Sequence, residues 1–193
     1  MELKDLEEYA RINNVPIMEK DGIEFLTNYI KENNIKNILE IGAAIGYSAI
    51  RMCLIDEDIK VTTIERDKVR YDEAVKNINA FNLSDRINII FGDALDIEID
   101  GNYDLIFIDA AKSQSIKFFE KYEKYLNQDG TIITDNINFH GLTFSSIQAP
   151  TRNLRQMIRK IHNYLKWLDD NKEYNTEYKN IGDGLTISKR VND

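Results

Sequence analysis

The sequence predicts an α/β fold: a doubly wound, mostly parallel sheet with a C-terminal antiparallel hairpin. Three observations predict it. From Lys36 onward, short runs rich in Ile, Val and Leu alternate with segments of helical period. In the stretch KNILEIGAAIGYS (36–48) an apolar run leads into a glycine turn and then a helix. Near the end, two strand-like runs flank Gly182-Asp183-Gly184, a turn signal that pairs them antiparallel.

The 193 residues are most simply one domain, long enough for a sizeable core. A hydrophobic fraction of 42% with 30% charged residues is globular composition and excludes a disordered chain. No apolar run approaches bilayer length, and the charged start MELKDLEEYARINN shows no secretory signal, so a cytoplasmic protein with no membrane partner is expected. A single cysteine, Cys53, rules out an intrachain disulfide and fits a reducing compartment. It falls on the apolar side of a helix, where a buried structural thiol is expected. The net charge of −8 argues against indiscriminate polyanion binding but leaves room for a local basic patch.

Residues 2–13 and 19–33 read as two N-terminal helices packing on the core, separated at Val15-Pro16 because proline restricts the residue before it. Ile38, Leu39 and Ile41 make the first strand, Gly42 and Gly46 the turn, and Tyr47–Ile55 a helix with Ile50 and Leu54 on one side. Ile59–Ile64 is a β-branched strand closed by Glu65. Asp67 is a plausible N-cap for Lys68–Phe81, where Val69, Ala74, Val75, Ile78 and Phe81 repeat at helical spacing. Arg86–Phe91 is a short strand followed by Gly92-Asp93. Tyr103–Ile108 is nearly all apolar, as a central parallel strand covered on both faces should be, and it ends at Asp109. Ser113 is placed to cap a helix through about Leu126. Asp129-Gly130 turns into the strand Thr131–Thr134, which ends at Asp135-Asn136. A loop, 137–150, leads to the longest helix, Thr151–Asp169, and the last strands are Asn175–Ile181 and Leu185–Arg190.

Ligands of open α/β sheets sit beyond the carboxyl ends of the parallel strands. This sequence puts Gly42, Glu65, Gly92-Asp93, Asp109 and Asp135-Asn136 there. Singly, each has a bland reading as a turn or a helix cap. Together they make one polar rim. The glycine spacing lacks the middle glycine of the dinucleotide pattern, because Ala44 stands in its place. With Glu65 placed to take two ribose hydroxyls, the rim suggests a nucleoside cofactor without a pyrophosphate. Asp109, Asp135 and Asn136 offer two carboxylates and an amide oxygen, a hard-oxygen set suited to Mg²⁺. The two histidines, His140 and His162, lack zinc-ligand spacing. Lys112 enters the next helix three residues after Asp109. It reads either as a solvated lysine or as a group that accepts a proton or orients a hydroxyl beside the cation.

The segments EIGAAIGYS (40–48), Glu65, IDAAK (108–112) and TDN (134–136) together resemble the metal-dependent, catechol-type O-methyltransferases. The resemblance covers the chain from about Pro16 and implies a Rossmann-like sheet of seven strands using S-adenosylmethionine (SAM) and Mg²⁺. By that resemblance Gly42, Tyr47 and Ser48 line the methionine end of SAM, Glu65 takes the ribose, and Asp93 and Ala94 flank the adenine. Asp109 borders the cofactor and, with Asp135 and Asn136, holds the metal, leaving Lys112 as the base-like residue. A homodimer is usual for this family. VPIMEK (15–20), ITDN (133–136) and GDGLTISK (182–189) resemble in particular those members that methylate 5-hydroxyuridine at the wobble position of tRNA, in the anticodon region.

A catechol and a 5-hydroxyuracil both present two adjacent oxygens to one cation, so the same rim serves a small phenol or a flipped-out base. The long helix bears on the choice. Leu154, Ile158, Ile161, Leu165 and Leu168 form an apolar stripe, and Arg152, Arg155, Arg159, His162 and Lys166 form a second, turned about 120° away. The arginines Arg152, Arg155 and Arg159 are either a solvated face or phosphate contacts for RNA. Phe139 and Phe144 in the preceding loop read equally as a base-stacking pair or a hydrophobic lid.

Overall fold

The computed structural model describes residues 1–137 and 151–191. Two helices, α1 (Leu3–Ile12) and α2 (Lys20–Glu32), precede β1 (Asn37–Ile41), α3 (Tyr47–Cys53), β2 (Lys60–Glu65), α4 (Lys68–Ala80) and β3 (Ile87–Phe91). Then come β4 (Tyr103–Ile108), α5 (Ser115–Tyr122), β5 (Leu126–Asp135), α6 (Arg152–Asp170), β6 (Tyr174–Lys179) and β7 (Leu185–Arg190). The sheet has seven strands in the order β3-β2-β1-β4-β5-β7-β6. Neighbours among β1 to β5 run parallel, and β7 is antiparallel to both β5 and β6.

Strand alternation sends side chains to two cores. Ile38, Val61, Leu105 and Phe107 face α1, α2 and α3, meeting Leu6, Leu26 and Ile50 there. Leu39, Ile41, Ile106 and Ile108 face the opposite way, toward Phe119 of α5 and Tyr164 and Leu168 of α6. β1 and β4 are buried on both faces because helices cover both, which makes the sheet doubly wound as the sequence predicts. Cys53 is fully buried in the first core, and burial pushes its thiol up to about 12, which fits an inert structural thiol.

Most elements match the sequence reading within a residue or two, including the Asp67 cap, whose side chain accepts the Arg70 amide. Three details differ. Ser113 caps nothing: Lys112–Gln114 is a separate 3-10 turn, and Ser115 Oγ donates to the Lys112 carbonyl as α5 begins. The helix stops at Tyr122, and the chain enters β5 at Leu126, earlier than the Asp129-Gly130 signal suggests. The register against β4 jumps from Tyr103↔Leu126 to Leu105↔Thr131, so the Asp-Gly pair sits in a bulge within the strand. Val69 fits the helical period of α4, yet it is 76% exposed. No helix among the described residues is long and apolar enough to cross a membrane.

Candidate active site

The carboxyl ends of β1 to β5 open onto one cavity of about 410 Å³. Gly42, Tyr47, Ser48, Glu65, Asp93, Ala94, Asp109, Lys112, Asp135 and Asn136 all contribute to its wall, so every rim residue singled out from the sequence arrives at one place.

The wall begins at the glycine turn. Gly42 has φ +105°, and a side chain there would run into the Asp109 carbonyl, so only glycine lets β1 leave the sheet beside the end of β4. Beside it stands Glu65, with Oε2 accepting the Ala44 amide and Oε1 the Asp67 amide, both at 2.8 Å. The carboxylate is thereby fixed, with acceptor capacity left over toward the cavity. After β3, Asp93 accepts the Leu95 amide at 2.9 Å and lies 3.4 Å from the Arg66 guanidinium. Tyr122 of α5 donates to the Ala94 carbonyl at 2.6 Å, holding that loop from below.

Ser48 and Tyr47 open α3. Tyr47 donates its hydroxyl to Glu7 of α1 at 2.7 Å and accepts from Arg51 at 3.0 Å, which ties the N-terminal helix to the cavity wall. Ser48 donates to Glu40, a fully buried carboxyl that also accepts from Thr63 at 2.6 Å. Burial pushes the Glu40 carboxyl up to about 7, against the pull of those two hydroxyls.

The acidic end of the cavity gathers Asp109, Asp135 and Asn136. The Asn136 amide nitrogen donates to Asp109 Oδ1 at 3.0 Å and to Asp135 Oδ2 at 2.8 Å, so the three side chains form one linked set. Asn136 takes a left-handed backbone, φ +64°, as the chain turns off β5. Lys112 Nζ lies 3.3 Å from Asp109 Oδ1 and 3.4 Å from the Asp135 carbonyl. Burial, and then the neighbouring Asp109 charge, push the Asp135 carboxyl up to about 7. Among the described residues no three His, Cys, Asp or Glu side chains cluster as a metal centre, so two carboxylates and one amide are the whole candidate set.

Several wall residues escape the sequence reading. Asp183 comes from the β6–β7 turn, which reaches the rim because β7 pairs with β5 and sets Leu185 opposite Asp135. Pro16 to Glu19 close another side, and Arg66 and Arg70 line the same wall as Glu65. The segment 15–20 carries a motif in the sequence, but nothing local shows that it reaches the strand ends. Arg152, Arg155 and Arg159 are exposed on α6 and lie outside the cavity wall, although α6 packs beside the 3-10 turn bearing Lys112. The apolar stripe is as expected, with Ile161, Leu165 and Leu168 buried. Phe139 and Phe144 lie outside the described residues.

A family model described as O-methyltransferase matches residues 1–191. The chain belongs to that O-methyltransferase family. Across the fold, the structure of a putative caffeoyl-CoA O-methyltransferase from Staphylococcus aureus superimposes with a TM-score of 0.94 at 42% identity, over 99% of this chain and 93% of that one. A caffeoyl-CoA O-methyltransferase of Populus kitakamiensis is 28% identical over 204 residues, spanning 98% of this chain and 86% of the relative. The fold is also that of an O-methyltransferase from Bacillus cereus in complex with SAH, at 24% identity and a TM-score of 0.82, over 98% of this chain and 90% of that one. In this O-methyltransferase the rim motifs sit together at one cavity.

Proposed function

We propose that the protein transfers the methyl group of SAM to a hydroxyl whose neighbouring carbon carries a second oxygen, with a catechol-like phenol as the acceptor. One observation carries this reading. A single cavity is bounded at one end by the Gly42–Ser48 turn and Glu65, and at the other by Asp109, Lys112, Asp135 and Asn136. Donor and acceptor then meet within reach of each other, which supplies much of the rate of a bimolecular displacement. The names of the relatives support the phenolic acceptor.

In this reading Glu65 accepts from the ribose hydroxyls, Asp93 and the Ala94 backbone border the adenine, and Gly42, Tyr47 and Ser48 border the methionine end. Asp109, Asp135 and Asn136 fit a divalent cation on the chemistry of their donors: a buried carboxyl destabilised by its acidic neighbour gains from a cation beside it. They would hold Mg²⁺, which when bound favours the acceptor's ionised oxygen. Lys112, beside Asp109, is placed to take the hydroxyl proton or to orient the oxygen. The C–S bond of the sulfonium breaks as the O–CH₃ bond forms, and S-adenosylhomocysteine leaves.

A second acceptor, 5-hydroxyuridine in tRNA, is favoured by α6. Arg152 and Arg155 stand at the positive end of its dipole and Asp169 and Asp170 at the negative end, an order opposed to helix stability. Cations kept there against the dipole, beside the turn of Lys112, suit a phosphate-bearing acceptor. The test is to incubate the protein with methyl-labelled SAM and Mg²⁺, once with a catechol and once with tRNA carrying 5-hydroxyuridine. Label in the phenol supports the first acceptor and label in the tRNA the second. Label in neither contradicts both.

A further inference from the structure

We infer that Asn77, on the buried face of α4 and outside the cavity wall, is a positioning residue for donor binding that acts by fixing the peptide at Ile45. The inference rests on the SAM reading above. Asn77 is 1% exposed, and its Nδ2 donates to the Ile45 carbonyl at 2.9 Å. Ile45 sits in the middle of the turn between β1 and α3, whose backbone is unusually constrained. Gly42, Ala44 and Gly46 all have positive φ, at +105°, +45° and +82°, and alanine adopts that region only at a cost.

A turn of that shape relaxes unless the surrounding structure holds it. Two side chains do so from opposite sides. Glu65 of β2 takes the Ala44 amide at 2.8 Å, and Asn77 of α4 holds the next carbonyl along. Inside the turn, the Gly46 amide closes onto the Ala43 carbonyl at 2.7 Å. Losing either tether frees the backbone that borders the methionine end of SAM.

Packing alone does not account for an asparagine here. Its neighbours Ala74 and Ile78 are buried apolar residues, and its Oδ1 receives no donor from any described residue. A leucine, branched at the same carbon though bulkier, would avoid burying a polar atom that lacks a protein partner. The amide is explained by what it holds.

The experiment compares wild type with Asn77→Leu by calorimetric titration of SAM, thermal melting and amide hydrogen exchange. Asn77→Leu should bind SAM about tenfold more weakly, a loss out of proportion to any change in its melting point. Exchange at Ala44 and Gly46 should quicken in the absence of ligand, while kcat at saturating SAM stays unchanged. A purely structural asparagine predicts the reverse pattern, a lower melting point with unaltered affinity, and that result overturns the inference. If the leucine variant fails to fold, Asn77→Ala, which removes the amide without adding bulk, is judged by the same affinity and exchange criteria. Wild type failing to bind SAM refutes the donor reading instead, and exchange at Ala44 and Gly46 still decides whether Asn77 tethers the turn.

Discussion

Glu65 and Ala44, 21 residues apart in sequence, are joined by a 2.8 Å hydrogen bond from the Ala44 amide to Glu65 Oε2. The acid proposed to take the ribose therefore also shapes the turn proposed to border the methionine end. Glu65→Ala removes both contributions, and a hydrogen bond to a charged group is worth about 1.5–3 kcal/mol. SAM affinity should fall at least tenfold, or about 1.4 kcal/mol. Calorimetric titration checks it, and an unchanged affinity would remove Glu65 from the donor site.

Asp135→Ala separates the two ends of the cavity. It deletes a buried carboxyl whose charge Asp109 opposes, so SAM binding and folding should survive. Methyl transfer should drop by about a hundredfold or more, because the acceptor is no longer held in line with the donor. Parallel loss of transfer and donor binding would show instead that the residue is structural.

Reversing Arg152, Arg155 and Arg159 to Glu tests the row on α6. If tRNA is an acceptor, its turnover should disappear, and the salt dependence of any residual binding should flatten. A small phenol should be methylated as before, since none of the three borders the cavity. Unaltered tRNA turnover would mark the row as a solvated face.

Glu40 gives the folded protein a pH signature. Its carboxyl sits at about 7 in the fold against an ordinary value of 4.5, because burial penalises its charged form. Between those values the folded state binds more protons than the unfolded chain, so stability falls as pH rises and levels off above about 7. The fall attributable to this one group is on the order of a few kcal/mol. Glu40→Gln abolishes it. Urea denaturation at pH 5 and pH 8 should show the variant gaining on wild type at the higher pH, and parallel curves would contradict the assignment.

Much of the fold was legible in the sequence because both signals are local. Tyr103–Ile108 is apolar at every position but Asp104, and Asp67 stands where a cap must. The rim was legible for a related reason: a parallel sheet brings all its strand ends to one side, so Gly42, Glu65, Asp93, Asp109 and Asp135 needed no further information to converge. What stayed hidden depends on pairing. Asp183 enters the wall only because β7 inserts between β5 and β6, and no periodicity encodes that order. Glu40 lies in a strand that reads as apolar, and its burial follows from Ser48 and Thr63 meeting it across two other elements. The Asp129-Gly130 signal was sound as a local bend but misleading as a boundary, since the strand runs through it as a bulge.

In the proposed reaction a methyl donor and a divalent cation share one cavity. The decisive measurement is methyl transfer to whichever acceptor takes the label, assayed with SAM in the presence of Mg²⁺, then EDTA, then Mg²⁺ restored. Turnover should vanish with the chelator and return with the cation, while SAM binding persists throughout. Full turnover in EDTA would contradict it.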